Sequence, residues 1–152
     1  MEFTIREMTP SDRMVWAEMR AALWPEDPVE EHAKEIDEFF ASGDVWGLIA
    51  QNTNGVAIGF AELAIRKYAN GCTSRPVPFL EGIWINAEFR RQGVGTRLVD
   101  HAARSLAARG FREICSDAKF ENHTAVASHL GWGFFETEKV VYFRKPIHPI
   151  VR

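Results

Sequence analysis

The sequence predicts one mixed α/β (α+β) domain spanning residues 1–152, and three observations point to it. A chain of 152 residues has room for a single core. Period-two apolar alternation recurs between segments whose apolar residues fall at helical spacing. Strand, glycine-bearing loop and helix meet at Arg90 to Thr96, a junction that belongs to αβ packing. The composition, 46% hydrophobic and 26% charged, excludes a disordered or fibrous chain.

Phe3 to Glu7 alternates and reads as a strand. Thr9-Pro-Ser-Asp12 starts a helix, with a hydroxyl at the cap, proline at the first position and an acid at the third. This first helix runs to about Leu23, where Trp24-Pro25 stops it. The spacing predicts a second helix over Val29 to Ala41, with Ile36, Phe39 and Phe40 on its apolar face and most acids outside. Trp46 to Gln51 and Val56 to Ile65 form a hairpin through Asn-Thr-Asn-Gly. Tyr68 to Pro78 is a loop, and Phe79 to Asn86 a strand. A long helix over Val94 to Ala108 ends at Gly110. A strand over Ile114 to Lys119, a short helix over Asn122 to Leu130 and two-strand material over Phe134 to Lys145 complete the chain.

Net charge is −3, which excludes a general polyanion binder. Its distribution is uneven. Glu26 to Glu38 holds seven acids against Lys34, while Arg90 to Arg112 holds six arginines against Asp100. The basic stretch has no interleaved aromatic platform, so no nucleic acid is expected. The acidic stretch reads as a solvated rim that attracts cations at long range. The two cysteines, Cys72 and Cys115, are too few for a disulfide framework and are expected as reduced thiols in the cytoplasm. The N-terminal residues carry no signal-peptide pattern, and no segment reaches the roughly 20 apolar residues of a membrane span. His123 and His129 are six apart, unsuited to the i, i+4 pair of a helical zinc site, so no metal is expected.

The chemistry concentrates at Arg90-Arg91-Gln92-Gly93-Val94-Gly95-Thr96, an R-x-x-G-x-G loop that opens a helix. Glycines let backbone N–H groups approach an anion, and the helix N-terminus adds a favourable dipole. Neither a G-x-G-x-x-G nor a G-x-x-x-x-G-K pattern is present. Three acids complete the candidate set. Glu81 lies inside an apolar strand, where a carboxylate must either pair with a nearby arginine or face a polar cleft. Asp117 falls near the end of the next expected strand, and Glu138 alternates with Glu136. Trp24 is a core residue at a helix end or a binding surface, and Tyr68 lies in a polar loop that favours binding. There is no nucleophile elbow and no supported Cys-His arrangement, which disfavours an acyl-enzyme.

The loop, together with Asn122, Ala125 and Gly133-Phe134 further on, resembles the GNAT superfamily of acetyl-CoA-dependent N-acetyltransferases. Leu23-Trp24-Pro25, Tyr68-Ala-Asn-Gly-Cys72, Pro78 to Ile83 and Glu136 to Lys145 narrow the resemblance to chromosomal bacterial aminoglycoside 6'-N-acetyltransferases. The resemblance implies a mixed central sheet splayed between its fourth and fifth strands, with pantetheine in the gap. It implies that Ile83, Trp84 and Ile85 pair with pantetheine through their backbone. Arg91, Gln92, Gly93, Val94, Gly95 and Thr96 would hold the pyrophosphate, and Asn122 the pantetheine amide region. It further implies that Trp24, Tyr68, Glu81, Asp117 and Glu138 line an aminoglycoside pocket, that the chain is a homodimer joined through its C-terminal strands, and that aminoglycosides are acetylated, conferring antibiotic resistance.

Carboxylates and aromatic faces suit a polycationic sugar. They also pose a difficulty, because anions beside an ammonium favour its protonated, unreactive form. The expected catalytic groups are Glu81, taking the proton directly or through water, and Asp117, which with Glu138 mostly positions ring amines. Many superfamily members carry a tyrosine acid seven residues after the motif asparagine; this chain has His129 there, leaving the general acid unassigned. Other cellular amines, polyamines or peptide N-termini, remain alternative acceptors, and a non-catalytic acyl-CoA-binding module is a further alternative.

Overall fold

The computed structural model describes residues 1–149. Its elements are β1 (Phe3–Glu7), α1 (Arg13–Leu23), α2 (Val29–Ser42), β2 (Val45–Asn52), β3 (Ala57–Arg66), β4 (Val77–Ile85), α3 (Val94–Ala108) and α4 (His123–Gly131). One-turn 3₁₀ segments, Pro10–Asp12 and Ala87–Phe89, lead into α1 and toward α3. Asp12 folds back to accept the Thr9 amide at 2.8 Å, so the acid foreseen in the first turn closes the cap.

The four strands form an antiparallel sheet in the order β1-β2-β3-β4. The β2–β3 turn is stabilised by Asn52, whose side chain accepts from the amides of Asn54 and Val56 at 3.0 Å each. Each face of the sheet buries an apolar cluster. One gathers Leu48, Ala50, Ile58, Ala61, Leu63 and Leu80 against Val94, Leu98 and Ala102 of α3. The other gathers Ile49 and Phe60 against Trp16, Ala17, Met19, Ala33 and Ile36 of α1 and α2. Ile36 is buried on α2 as its spacing predicts, while Phe40 stays on the rim.

Strand β4 contains a bulge. Leu63 faces Leu80 and Glu62 faces Gly82, so Glu81 is an extra residue in the ladder. The consequence is an inverted alternation: Leu80, Ile83 and Ile85 pack with the α3 cluster, whereas Trp84 packs with the α1–α2 cluster.

Two expectations are corrected. Ile114 to Lys119 does not form a strand; it touches the sheet at one parallel bridge, Phe79 with Cys115, and then leaves β4. The next residue, Ser116, reaches the Leu80 carbonyl with its hydroxyl instead of its backbone. That bridge adds one parallel contact to an otherwise antiparallel sheet, and beyond it the chain diverges from β4. Phe134 to Lys145 forms no strands either, because no neighbouring strand among the described residues supplies a ladder for it. Its Val141, Tyr142 and Phe143 are exposed by 76%, 80% and 91%, the largest stretch of uncovered apolar side chains in the described chain.

Candidate active site

The bulge re-aims Glu81 toward the end of β3. There Arg66 grips it with a two-pronged hydrogen bond, Nε to Oε1 at 2.8 Å and Nη2 to Oε2 at 2.7 Å. The guanidinium carbon also lies over Phe79, 3.5 Å from the ring centroid. Glu81 holds the Arg66 guanidinium above its ordinary value, and Asp117 and Tyr142 add to that effect. Of the two alternatives for an acid in an apolar strand, the structure shows the pairing with an arginine, and it is Arg66 of that pair that lines a cleft.

Gly82, the residue after the bulge, carries Trp24. A β-carbon at position 82 would lie 2.5 Å from Trp24 Cη2, so the absence of a side chain is what seats the indole on β4. A buried network fixes the other side of Trp24. The His32 Nε2–H donates to the Trp24 carbonyl at 3.0 Å, and His32 Nδ1 accepts from Arg20 Nε at 3.2 Å. Arg20 in turn pairs with Glu35 and Glu62, stacks 4.9 Å from the Trp24 ring, and shares Glu62 with the Trp16 indole N–H at 3.1 Å. Burial pushes the Glu62 carboxyl up, opposed by the attraction of Arg20.

On the far side of the splay lies a cleft of about 1440 Å³, lined among others by Arg66, Asp117, Glu138, His129 and Trp132. Asp117 and Glu138 are exposed in it. The 67–76 loop approaches the same cleft, with Gly71 against Thr137 and Glu138. Tyr68 is 63% exposed and faces Arg75, its ring centroid 5.8 Å from the guanidinium carbon. The structure thus pairs Glu81 with Arg66, seats Trp24 on the neighbouring Gly82 and places Asp117 and Glu138 along the cleft, while Tyr68 lies outside its lining on the adjoining loop.

The loop is pinned twice. Glu113 accepts from the amides of Thr73 and Ser74 at 2.7 and 2.8 Å. Cys72 is joined to Cys115 by a disulfide, which corrects the expectation of two reduced thiols; a sequence separation of 43 gives no hint that the bridge residue Cys115 would meet this loop. Cys72, Glu113 and Cys115 are the one His/Cys/Asp/Glu group close enough to hold a metal ion among the described residues, and their ligand atoms are already engaged with one another and with the loop amides.

The phosphate loop has the geometry its glycines suggest. Gly93 caps α3 at φ +83°, and Arg91 itself is left-handed at φ +60°. Arg90 and Gln92 brace the turn by donating to the carbonyls of Ile85 and Glu88. Gln92, Gly93 and Thr96 are exposed, Val94 is buried under the sheet and Gly95 packs on Trp132. The outer edge of β4 from Ile83 to Ile85 has no strand beside it among the described residues, so the backbone groups of Ile83, Trp84 and Ile85 form a free edge leading to the loop. Asn122 caps α4, its side-chain oxygen accepting from the Ala125 amide at 3.0 Å. His129 Nδ1 donates to the Ala125 carbonyl at 2.7 Å, and its Nε2 meets Ser116 Oγ at 2.8 Å.

Arg66 and the Arg20–His32–Glu62 network escaped the sequence reading. Glu62 carried the same signal as Glu81, an acid within an apolar strand, and Arg20 lies on the apolar face of α1 beside Trp16 and Met19.

The acetyltransferase (GNAT) family model matches residues 16–134. An aminoglycoside N(6')-acetyltransferase type 1 from Stenotrophomonas maltophilia is 41% identical over 149 residues, 96% of this chain and 95% of its own. The crystal structure of the aminoglycoside 6'-N-acetyltransferase AAC(6')-Ih from Acinetobacter baumannii superposes with a TM-score of 0.88 at 34% identity, covering 97% of this chain and all of that one. AAC(6')-Iy in complex with the bisubstrate analogue CoA-S-monomethyl-acetylneamine gives the same TM-score at 38% identity over 97% of this chain and all of its own.

Proposed function

The chain belongs to the acetyltransferase (GNAT) family, and from that premise we propose that it transfers the acetyl group of acetyl-CoA to the 6'-amine of aminoglycosides, conferring resistance to them. The observation that carries the reading is the bulge at Glu81, which sets a carboxylate and the Trp24 face beside the free edge of β4. The relatives named for this activity match along nearly their whole length.

The thioester lies along the free edge of β4, with its pantetheine amides paired to Ile83, Trp84 and Ile85 and to Asn122. The amides of Arg91 to Thr96 and the α3 N-terminus hold the pyrophosphate. The neutral amine attacks the thioester carbonyl directly. A nitrogen–carbon bond forms, the carbon–sulfur bond breaks, and CoA leaves as a thiolate that takes up a proton. Backbone N–H groups near Ile83 steady the oxyanion. Glu81 hydrogen-bonds the amine and passes its proton on through water, while Asp117 and Glu138 hold ring ammoniums and Trp24 and Tyr68 pack on the sugars.

Dependence on acetyl-CoA supports a cytoplasmic location. The uncovered Val140 to Phe143 stretch supports a homodimer in which a second copy supplies the missing ladder; sedimentation giving a monomer at micromolar concentration removes that assignment. The activity is tested by CoA release across aminoglycosides with and without a 6'-amine, with spermidine and peptides alongside. Release confined to 6'-amine compounds is expected. Release with polyamines or peptides but no aminoglycoside overturns the acceptor, and tight acetyl-CoA binding with no release overturns turnover itself.

A further inference from the structure

An amine must shed its proton before it can attack, yet the cleft offers it carboxylates. An unpaired carboxylate within about 4–6 Å stabilises an ammonium by one to three pK units, enough to leave the amine inert at neutral pH. Arg66 is placed to remove this obstacle at one position. Its fork engages both oxygens of Glu81, so the pair carries no net charge while each oxygen keeps a lone pair for an N–H donor. Phe79 holds the guanidinium from behind, which fixes the fork without a second carboxylate.

The charges facing this pair from each packed element fall into two groups. Beneath it, Glu62 of β3 is already offset by Arg20 of α1 and bonded by Trp16. Across the cleft, Asp117 and Tyr142 face Arg66, and Glu138 borders the 67–76 loop. Glu81 is thus the acid of the candidate site with a cation of its own, whereas no salt bridge is formed by Asp117 or Glu138 among the described residues. The unpaired acids suit amines that stay charged, and the paired one suits the amine that must not.

We propose that Arg66 is the positioning residue that selects which amine reacts: by neutralising Glu81 it lets the amine held there lose its proton to water, while amines held by Asp117 and Glu138 remain ammonium. The proposal rests on the reading that Glu81 holds the acceptor amine.

The experiment measures kcat against pH, with acetyl-CoA and a 6'-amine aminoglycoside, for the wild type, Arg66→Gln, Arg66→Lys and the double variant Arg66→Gln/Glu81→Gln. Calorimetry measures aminoglycoside binding at pH 7 alongside. In Arg66→Gln the acidic limb of kcat moves up by about one pH unit, so kcat near neutrality falls about tenfold while the aminoglycoside binds more tightly. Arg66→Lys keeps the limb near its wild-type position, and the double variant restores it. Arg66 is half-buried at the end of β3, outside both apolar clusters, so these variants retain the core, which circular dichroism checks. A lower kcat with an unmoved limb, or weaker aminoglycoside binding in Arg66→Gln, overturns the proposal alone. A wild type that releases no CoA with any aminoglycoside overturns the acceptor reading and the proposal together.

Discussion

Arg20 of α1 and Glu62 of β3 form an ion pair that is buried on both sides, their side chains 6% and 4% exposed. Removing one partner strands the other charge in the interior, at a cost of roughly 3–5 kcal/mol. Arg20→Met is therefore expected to lower the urea midpoint sharply. The double variant Arg20→Met/Glu62→Met should recover much of the loss, because two apolar side chains leave no charge unpaired. Arg20 also sustains His32 and through it the Trp24 carbonyl, so the single variant should raise the aminoglycoside KM more than the acetyl-CoA KM. Equal rises would show that the network serves stability alone.

Gly82 tests whether Trp24 is a wall of the proposed acceptor pocket. Gly82→Ala drives a methyl into Trp24 Cη2 and Cζ2, at 2.5 and 2.6 Å, and the indole must move. Misplacement of about 1 Å in a binding wall costs roughly ten- to hundredfold in efficiency. That loss is expected in kcat/KM for the aminoglycoside, with the circular dichroism spectrum unchanged. An unaltered kcat/KM would remove Trp24 from the pocket.

Stability should fall in acid through Asp12. The Arg6 guanidinium and the Thr9 amide hold its carboxyl down to about 2. A depressed folded-state value stabilises the protein above the unfolded-state value and is lost as pH falls through the folded one. The contribution, at most about 2 kcal/mol, is therefore present at neutral pH and disappears between about pH 4 and pH 2. Asp12→Asn should be less stable than the wild type at pH 7 and converge with it at pH 2. A constant offset across that range would contradict the assignment.

The Cys72–Cys115 bridge ties the 67–76 loop to the point where the chain leaves β4. Its loss is expected to cost roughly 2–4 kcal/mol, seen as a lower Tm in dithiothreitol or in Cys72→Ser. The Glu113 carboxylate still holds Thr73 and Ser74, so the loop loosens without detaching. The aminoglycoside KM should rise while kcat changes little. A Tm indifferent to reductant would mean that the link contributes nothing to stability.

Most of the scaffold was legible because local signals and tertiary packing agree. Helix α3 spans Val94 to Ala108 as its apolar period and flanking glycines dictate, and the hairpin, both N-terminal helices and β4 fall within a few residues of their expected bounds. The strands foreseen at Ile114 to Lys119 and Phe134 to Lys145 did not form because alternation marks a segment able to pair, but a ladder needs a neighbour along its length: the first leaves β4 after the single Phe79–Cys115 bridge, and the second has no strand alongside among the described residues. The candidate site was half legible. Acids and glycines announce themselves against apolar neighbours. Arg66 does not, since a strand-end arginine looks like any solvated residue until a bulge in the next strand turns Glu81 toward it.

The bulge also bears on how this enzyme family can change. Residue 81 is supernumerary in its strand, so the packing of Leu80 before it and Trp84 after it does not depend on which side chain it carries. Exchange of Glu81 for another residue removes the partner of Arg66 and leaves both halves of the core in phase. Deletion of the same residue would set Leu80 and Gly82 in succession opposite Leu63 and Glu62, closing the bulge with Ile83, Trp84 and Ile85 still in phase. The packing of β4 therefore tolerates either change at this position, and what is lost with Glu81 is its carboxylate pairing with Arg66.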